Sequence, residues 1–123
     1  MMIGSINEER EAVLCLQIQG PEDQSVEVEA VIDTGYNGTL SLPPEIIAAL
    51  ALPSRGARQV TLGDGSSVYL NIYRATVIWD GQPLAAQVME TEDVTVLGMS
   101  LLYGYRLVMD VVDGGGVTIE AHL

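Results

Sequence analysis

Asp33, Thr34 and Gly35 follow two apolar residues, Val31 and Ile32, and lead into Tyr36, Asn37 and Gly38. A carboxylate at the end of a buried strand is costly unless it is hydrogen-bonded or paired. The Thr34 hydroxyl and nearby backbone N–H groups are candidate donors, and Gly35 lets the chain turn sharply with no Cβ in the way. The arrangement suits a carboxylate presented for chemistry rather than one packed into a core. The competing reading is an Asx-type turn after a strand.

Two further stretches bear on that choice. Val94-Thr95-Val96-Leu97-Gly98-Met99-Ser100-Leu101-Leu102 reads as an apolar strand, a glycine and a short helical pattern. Leu62-Gly63-Asp64-Gly65-Ser66 lies between strand-like runs and reads as a hairpin tip. With Tyr36-Asn37-Gly38-Thr39-Leu40-Ser41-Leu42-Pro43, these segments resemble the retropepsin-like (retroviral-type) aspartic proteases, and most closely their small bacterial single-domain branch. The order is catalytic loop, flap hairpin, then Leu-Gly and helix. The likeness runs from about Val13 to about Glu120.

The resemblance implies an all-β, single-domain closed barrel over residues 1–123, with one or two short helices. It implies an aspartic endopeptidase in which Asp33 is the catalytic acid/base and Thr34 and Gly35 build its loop. Tyr36, Asn37 and Gly38, with Leu62, Gly63, Asp64 and Gly65 of the flap, would contact an extended, largely apolar peptide. Such chemistry needs two carboxylates sharing one proton, because two like charges held that close do not both ionise. The chain holds one Asp-Thr-Gly; Asp64-Gly65, Asp80-Gly81 and Asp113-Gly114 sit in turns. A homodimer with one Asp33 from each subunit is therefore expected. Tyr36 stands where most active enzymes have Ala or Ser, and Ser100 where Asp or Asn is common. Tyr36 favours the rival reading, a non-catalytic peptide-binding or dimerisation module. A third reading is a generic β domain with an accidental Asp-Thr-Gly.

The elements that must position these residues can be read from periodicity. Val13 to Gln19 and Val26 to Ile32 alternate as the strands of a hairpin. Thr39 to Leu42 is a short strand. Pro44 and Glu45 suit a helix first turn, continued by Ile46 to Leu50. Arg58 to Leu62 and Ser67 to Trp79 are strands, the second long enough to need a bend or bulge. Asp80-Gly81 marks a tight hairpin, followed by Pro83 to Met89. Thr91-Glu92-Asp93 is a turn, Val94 to Leu97 a strand, and Met99 to Tyr103 a helix. Arg106 to Val112 and Val117 to Glu120 are the last strands, around a glycine-rich turn. Many short strands at close spacing indicate a sandwiched or closed all-β fold.

Composition removes other functions. At 123 residues there is room for one core, built on Val, Ile, Leu, Ala and Met because Phe is absent. The net charge is −12, and all 5 basic residues are arginines. That balance disfavours nucleic acid, anionic membrane surfaces and acidic substrates. A homodimer would carry twice −12, or −24, and associate less tightly at low salt. The single Cys15, in an apolar strand, is expected to be a buried structural thiol. With one Cys and one tail histidine, His122, no Cys/His metal cluster is expected, nor a serine triad. No cofactor is implied. Met1 to Glu9 does not read as a signal peptide and no apolar run is long enough to span a membrane, which makes the cytoplasm the expected compartment. Glu8 to Glu11 reads as a solvated N-terminal segment, able also to join a dimer's terminal sheet.

Overall fold

The computed structural model describes residues 1–92 and 94–123. Ten strands and two short helices follow in the order β1 (Met2–Ile6), β2 (Ala12–Gln19), β3 (Ser25–Ile32), β4 (Leu40–Leu42), α1 (Pro44–Ala49), β5 (Ser54–Thr61), β6 (Ser67–Trp79), β7 (Gln82–Glu90), β8 (Val96–Leu97), α2 (Met99–Leu102), β9 (Tyr105–Met109) and β10 (Gly116–Ala121). All ten strands belong to one sheet, in the order β5-β6-β7-β4-β8-β3-β2-β1-β10-β9, with a further pairing between β6 and β2. Followed from β6 through β7, β4, β8, β3 and β2, the hydrogen-bonded neighbours lead back to β6.

The return is made possible by two strands that change partners along one edge. β6 pairs with β5 from Ser67 to Tyr73 and then with β2 from Thr76 to Ile78. β2 pairs with β1 at its start, at Ala12 and Val13, and with β6 at its end, at Gln17 to Gln19. The long strand expected over Ser67 to Trp79 is present, but the irregularity falls in β5. Between the pairs Ser54–Tyr73 and Ala57–Asn71, β5 carries one residue more than β6, and Gly56 there takes a φ of +94°. At the other end of β6, Asp80 and Gly81 both adopt positive φ (51° and 81°), the mirror-image turn whose twist matches the strands it joins.

The core lies inside this ring. Leu14, Leu16 and Ile18 of β2 alternate inward with Val28 and Ala30 of β3, and meet Val77, Trp79, Val88, Leu40, Leu42 and Leu97. Ile47 of α1, Leu50 just after it, and Leu101 and Leu102 of α2 complete the core cluster. The same alternation decides Cys15. With Leu14 and Leu16 turned inward, Cys15 faces solvent beside Glu29, its cross-strand partner, so the expected buried thiol is in fact exposed.

Other departures are local. β1 lies where no strand was expected; it pairs with β10 and β2 within the same chain. Glu8 to Arg10 form the turn between β1 and β2, held by Asn7, whose Oδ1 accepts from the N–H groups of Glu9 (3.0 Å) and Glu11 (2.9 Å). β8 is shorter than expected, two residues against four, and β9 stops at Met109. In the expected Thr91–Asp93 turn, Asp93 lies outside the described residues.

Ile18 sits where β2 is flanked by both β3 and β6, opposite Val26 and Val77, and is fully buried. Ile18→Ala is expected to lower stability by about 2–5 kcal/mol, measured by urea unfolding. A loss under about 1 kcal/mol would show that this junction is not the centre of the core.

Candidate active site

β3 delivers Asp33 to the surface, and β8, running parallel beside it, delivers Gly98. Four backbone hydrogen bonds then tie the two following loops together. The Asp33 N–H donates to the Leu97 carbonyl (2.9 Å), and the Gly98 N–H to the Thr39 carbonyl (3.0 Å). The N–H groups of Met99 and Ser100 donate to the carbonyls of Tyr36 (2.8 Å) and Gly38 (3.1 Å). The Ser100 hydroxyl adds a bond to the Asn37 carbonyl. Ser100, in place of a more usual acid or amide, thus holds the loop through its main chain.

Glycine is required at two points of this junction. A Cβ on Gly98 would overlap the Gly38 carbonyl oxygen and the Tyr36 ring, and a Cβ on Gly38 would overlap the Tyr36 hydroxyl end. The Tyr36 side chain therefore lies back over Gly38 and Gly98, in space that two missing side chains leave. It is half-buried, and burial raises its hydroxyl pKa above 10.0, an effect opposed by the nearby Arg58 guanidinium.

Asp33, Thr34 and Gly35 are all exposed. The Gly35 N–H donates to Asp33 Oδ1 at 2.8 Å. The Asx-type bond and the presented carboxylate are therefore one arrangement: one oxygen is held, and no hydrogen bond to the other is found among the described residues. The Thr34 hydroxyl does not supply one.

Two cavities flank the loop. A small one, of about 170 Å³, is lined by Asp33, Tyr36, Ser41, Met89, Thr91 and Val96. A larger groove, of about 350 Å³, runs between residues 35–39 of the loop and residues 58–61 of β5, over Ile72 and Met89. Tyr36 and Met89 wall both. Among the described residues, Asp33 is the only carboxylate that lines either cavity, and Arg58 the only cation.

The structure thus brings Asp33, Gly35, Tyr36, Asn37 and Gly38 together, and leaves Leu62, Gly63, Asp64 and Gly65 apart from both cavities. Those four form the tip of the β5–β6 hairpin, closed by the bonds Leu62 N–H to Ser66 O (2.7 Å) and Gly65 N–H to Leu62 O (3.0 Å). Nothing approaches within 4 Å of where Gly63 or Gly65 would carry a Cβ. Asp64 serves the turn itself: its Oδ1 accepts from the Ser66 hydroxyl (2.6 Å) and the Ser66 N–H (2.9 Å), and these bonds hold its pKa below 3.8. Arg58, Met89 and Val96 were not anticipated as site residues. Arg58 had a signal, an arginine in step with Val60 along β5, whereas Met89 and Val96 reach the site only through the sheet's register.

Compared with solved structures, the chain is similar to EIAV protease in complex with the inhibitor HBY-793, at 22% identity over 78% of this chain and 88% of that one, with a TM-score of 0.57. It is similar to a retropepsin-like aspartic protease from Rickettsia conorii, at 14% identity over 99% of this chain and 91% of that one, with a TM-score of 0.59. The fold is retropepsin-like. A third similarity, to a foamy viral protease-reverse transcriptase in complex with an RNA/DNA hybrid, has a TM-score of 0.53 at 17% identity and involves 76% of this chain but 12% of that one. No family model and no curated protein matches the sequence. The retropepsin-like order expected from Asp33 to Leu102 is the order found, in a mostly β chain with two short helices.

Two predictions follow from the loop geometry. Gly98→Ala forces a methyl against backbone and should cost more than about 2 kcal/mol in chemical unfolding, while Gly63→Ala, in open space, should stay within about 0.5 kcal/mol. Equal effects would contradict the close approach at Gly98. Ser66→Ala removes the largest cause of the lowered Asp64 pKa, so the Asp64 carboxyl should titrate at higher pH in that variant, as read by NMR. The fixed turn is favoured above the unfolded-state pKa and loses that support as acid protonates Asp64 through its lowered value.

Proposed function

We propose that the chain is an aspartic endopeptidase whose active site is assembled by two copies, each contributing Asp33. The observation that carries this reading is an exposed Asp33-Thr34-Gly35 loop at the head of a groove that holds no second carboxylate among the described residues. Pairing two such loops about a two-fold axis supplies the missing acid. The ionised carboxylate then takes a proton from a water molecule, whose oxygen attacks the peptide carbonyl. The protonated carboxylate hydrogen-bonds that carbonyl oxygen as charge develops on it. The carboxyl that took the water's proton passes it to the peptide nitrogen as the tetrahedral species collapses and expels the amine, and no covalent enzyme intermediate forms.

Other features agree with these roles. The Thr34 hydroxyl, without a partner in its own chain among the described residues, is available to bond across the axis. β5 is a terminal strand of the sheet, so its outer edge is open to an extended peptide by strand addition. The β5–β6 hairpin, exposed along most of β5 and at its tip, is a two-stranded arm with little burial, and such arms are marginally stable alone. It is the part of the molecule free to fold over a substrate and bring Leu62, Gly63, Asp64 and Gly65 to it. The cavity beside Asp33 accepts an apolar side chain against Tyr36, Met89 and Val96, and Asn37 and Gly38 line the adjoining groove. In this reading residues 1–123 act as one domain, the ring of pairings is the family's closed barrel, and the protein works in the cytoplasm. No helix is long and apolar enough to cross a membrane.

Tyr36 supports a second reading. Its ring occupies part of the wall between the two cavities, as a non-catalytic peptide-binding or dimerisation module would allow.

Asp33→Asn should abolish peptide cleavage while leaving the melting temperature close to that of the parent. Specific activity of the parent should fall on dilution in step with dimer dissociation, followed by sedimentation equilibrium, and should recover with added salt. Cleavage that survives in Asp33→Asn, or that is undiminished in a strict monomer, would refute the shared dyad. A dimer that binds peptides and never cuts them would select the module instead.

A further inference from the structure

Arginine is scarce in this chain: 5 basic residues stand against 17 acidic ones. Three of the five, Arg55, Arg58 and Arg74, line two adjoining hollows that share Gln87 as a common wall. The first is the groove of about 350 Å³ beside the Asp33 loop, which contains Arg58. The second, of about 370 Å³, lies further from that loop and contains Arg55 and Arg74. Among the described residues no carboxylate lines either hollow. The one ion pair among the described residues joins the Met1 amine to Asp80, so none of the three guanidinium groups is neutralised there.

Register explains how they come to one side. On β6, Leu70, Ile72 and Arg74 share a face, and β7 continues it with Met89 opposite Ile72 and Gln87 opposite Arg74. On β5, Arg58 lies opposite Leu70 and Val60 opposite Val68. Arg55 and Arg58, three residues apart, would fall on opposite faces of a regular strand. The extra β5 residue at Gly56 restores them to the same face, because both Arg55 and Gly56 fall opposite Ile72. The result is an apolar strip of Val60, Ile72 and Met89 that passes into a cationic one.

We propose that this arginine track is a specificity determinant, selecting peptide substrates that carry Asp or Glu side chains next to the apolar segment held at Asp33. The inference rests on the peptide-cleaving reading above and adds to it the chemistry of the substrate's flank. A carboxylate is the complement of a guanidinium fork. The flank thereby refines the general expectation from net charge: the surface as a whole repels acidic peptides, and the groove accepts a carboxylate at one place. Three cations without an ion-pair partner among the described residues also offset the long-range repulsion at the point where substrate must enter.

The test uses the full chain and peptides with blocked termini, so that side chains supply their only carboxylates. Each has an apolar centre, with Glu, Gln or Arg placed in turn at every flanking position. At one position the parent should cleave the Glu peptide about tenfold faster than the Gln peptide in kcat/KM, less so at high salt. Arg58→Gln should bring that ratio to about one, and Arg58→Glu should reverse the preference toward Arg. A merely structural role for Arg58 would lower all rates together and leave the ratio unchanged, and that result would overturn the proposal. Cleavage with no acidic preference anywhere would also overturn it and leave the protease reading intact. If the parent cleaves nothing, the same peptides are compared by calorimetry. Tighter binding of the Glu peptide, lost in Arg58→Gln, would uphold the track and refute turnover, whereas equal or absent binding would overturn the track.

Discussion

The site depends on one backbone interlock. Strand β3 ends just before Asp33 and strand β8 just before Gly98, and the segments around them exchange main-chain hydrogen bonds at Leu97, Thr39, Tyr36 and Gly38. Main-chain bonds fix positions to a fraction of an ångström without regard to side-chain identity. That is why a tyrosine is tolerated directly after Asp-Thr-Gly: the loop is held by N–H and C=O groups, and the ring is accommodated by Gly38 and Gly98. Orientation of Asp33 is then completed by the Gly35 N–H at 2.8 Å.

The interlock is tied by main-chain hydrogen bonds, whereas the β5–β6 hairpin is little braced by packing. β5 is exposed along almost its whole length, and its tip is closed by its own turn bonds and by Asp64. A closed ring of strands and a weakly packed arm are combined within one sheet, because β6 belongs to both. Its second half is clamped between β7 and β2, while its first half forms the arm with β5.

Much of this was legible in the sequence where a local rule decides the outcome. Asp80-Gly81 dictates its turn, alternation dictates β2 and β3, and Pro44-Glu45 starts α1. Asp33 falls just after β3, Gly98 just after β8 and Leu62–Ser66 at a hairpin tip, in the structural contexts read from the sequence. What escaped was whatever a distant partner decides. Met2 to Ile6 has no strong period of its own and becomes a strand because β10 and β2 offer edges to it. Cys15 looked buried by composition, yet the inward turn of Leu14 and Leu16 assigns it the outer face. The position of the bulge in β5 rather than β6, and with it the alignment of Arg55 with Arg58, follows from pairing register, which no single strand encodes.

The pairing of β1 with β10 sets the order of events during synthesis. Met2 lies opposite Ile119, so residues at the two ends of the chain are cross-strand neighbours, and β10 in turn carries β9. Strand β1 must wait for β10 before its outer edge is satisfied. On a ribosome the early hairpin of β2 and β3 can form alone, but β1 stays unpaired on that side until residue 121 has emerged. High contact order of this kind slows folding and prolongs exposure of strand edges. It also leaves the outer edge of β9, which pairs with β10 alone, to be placed last of all.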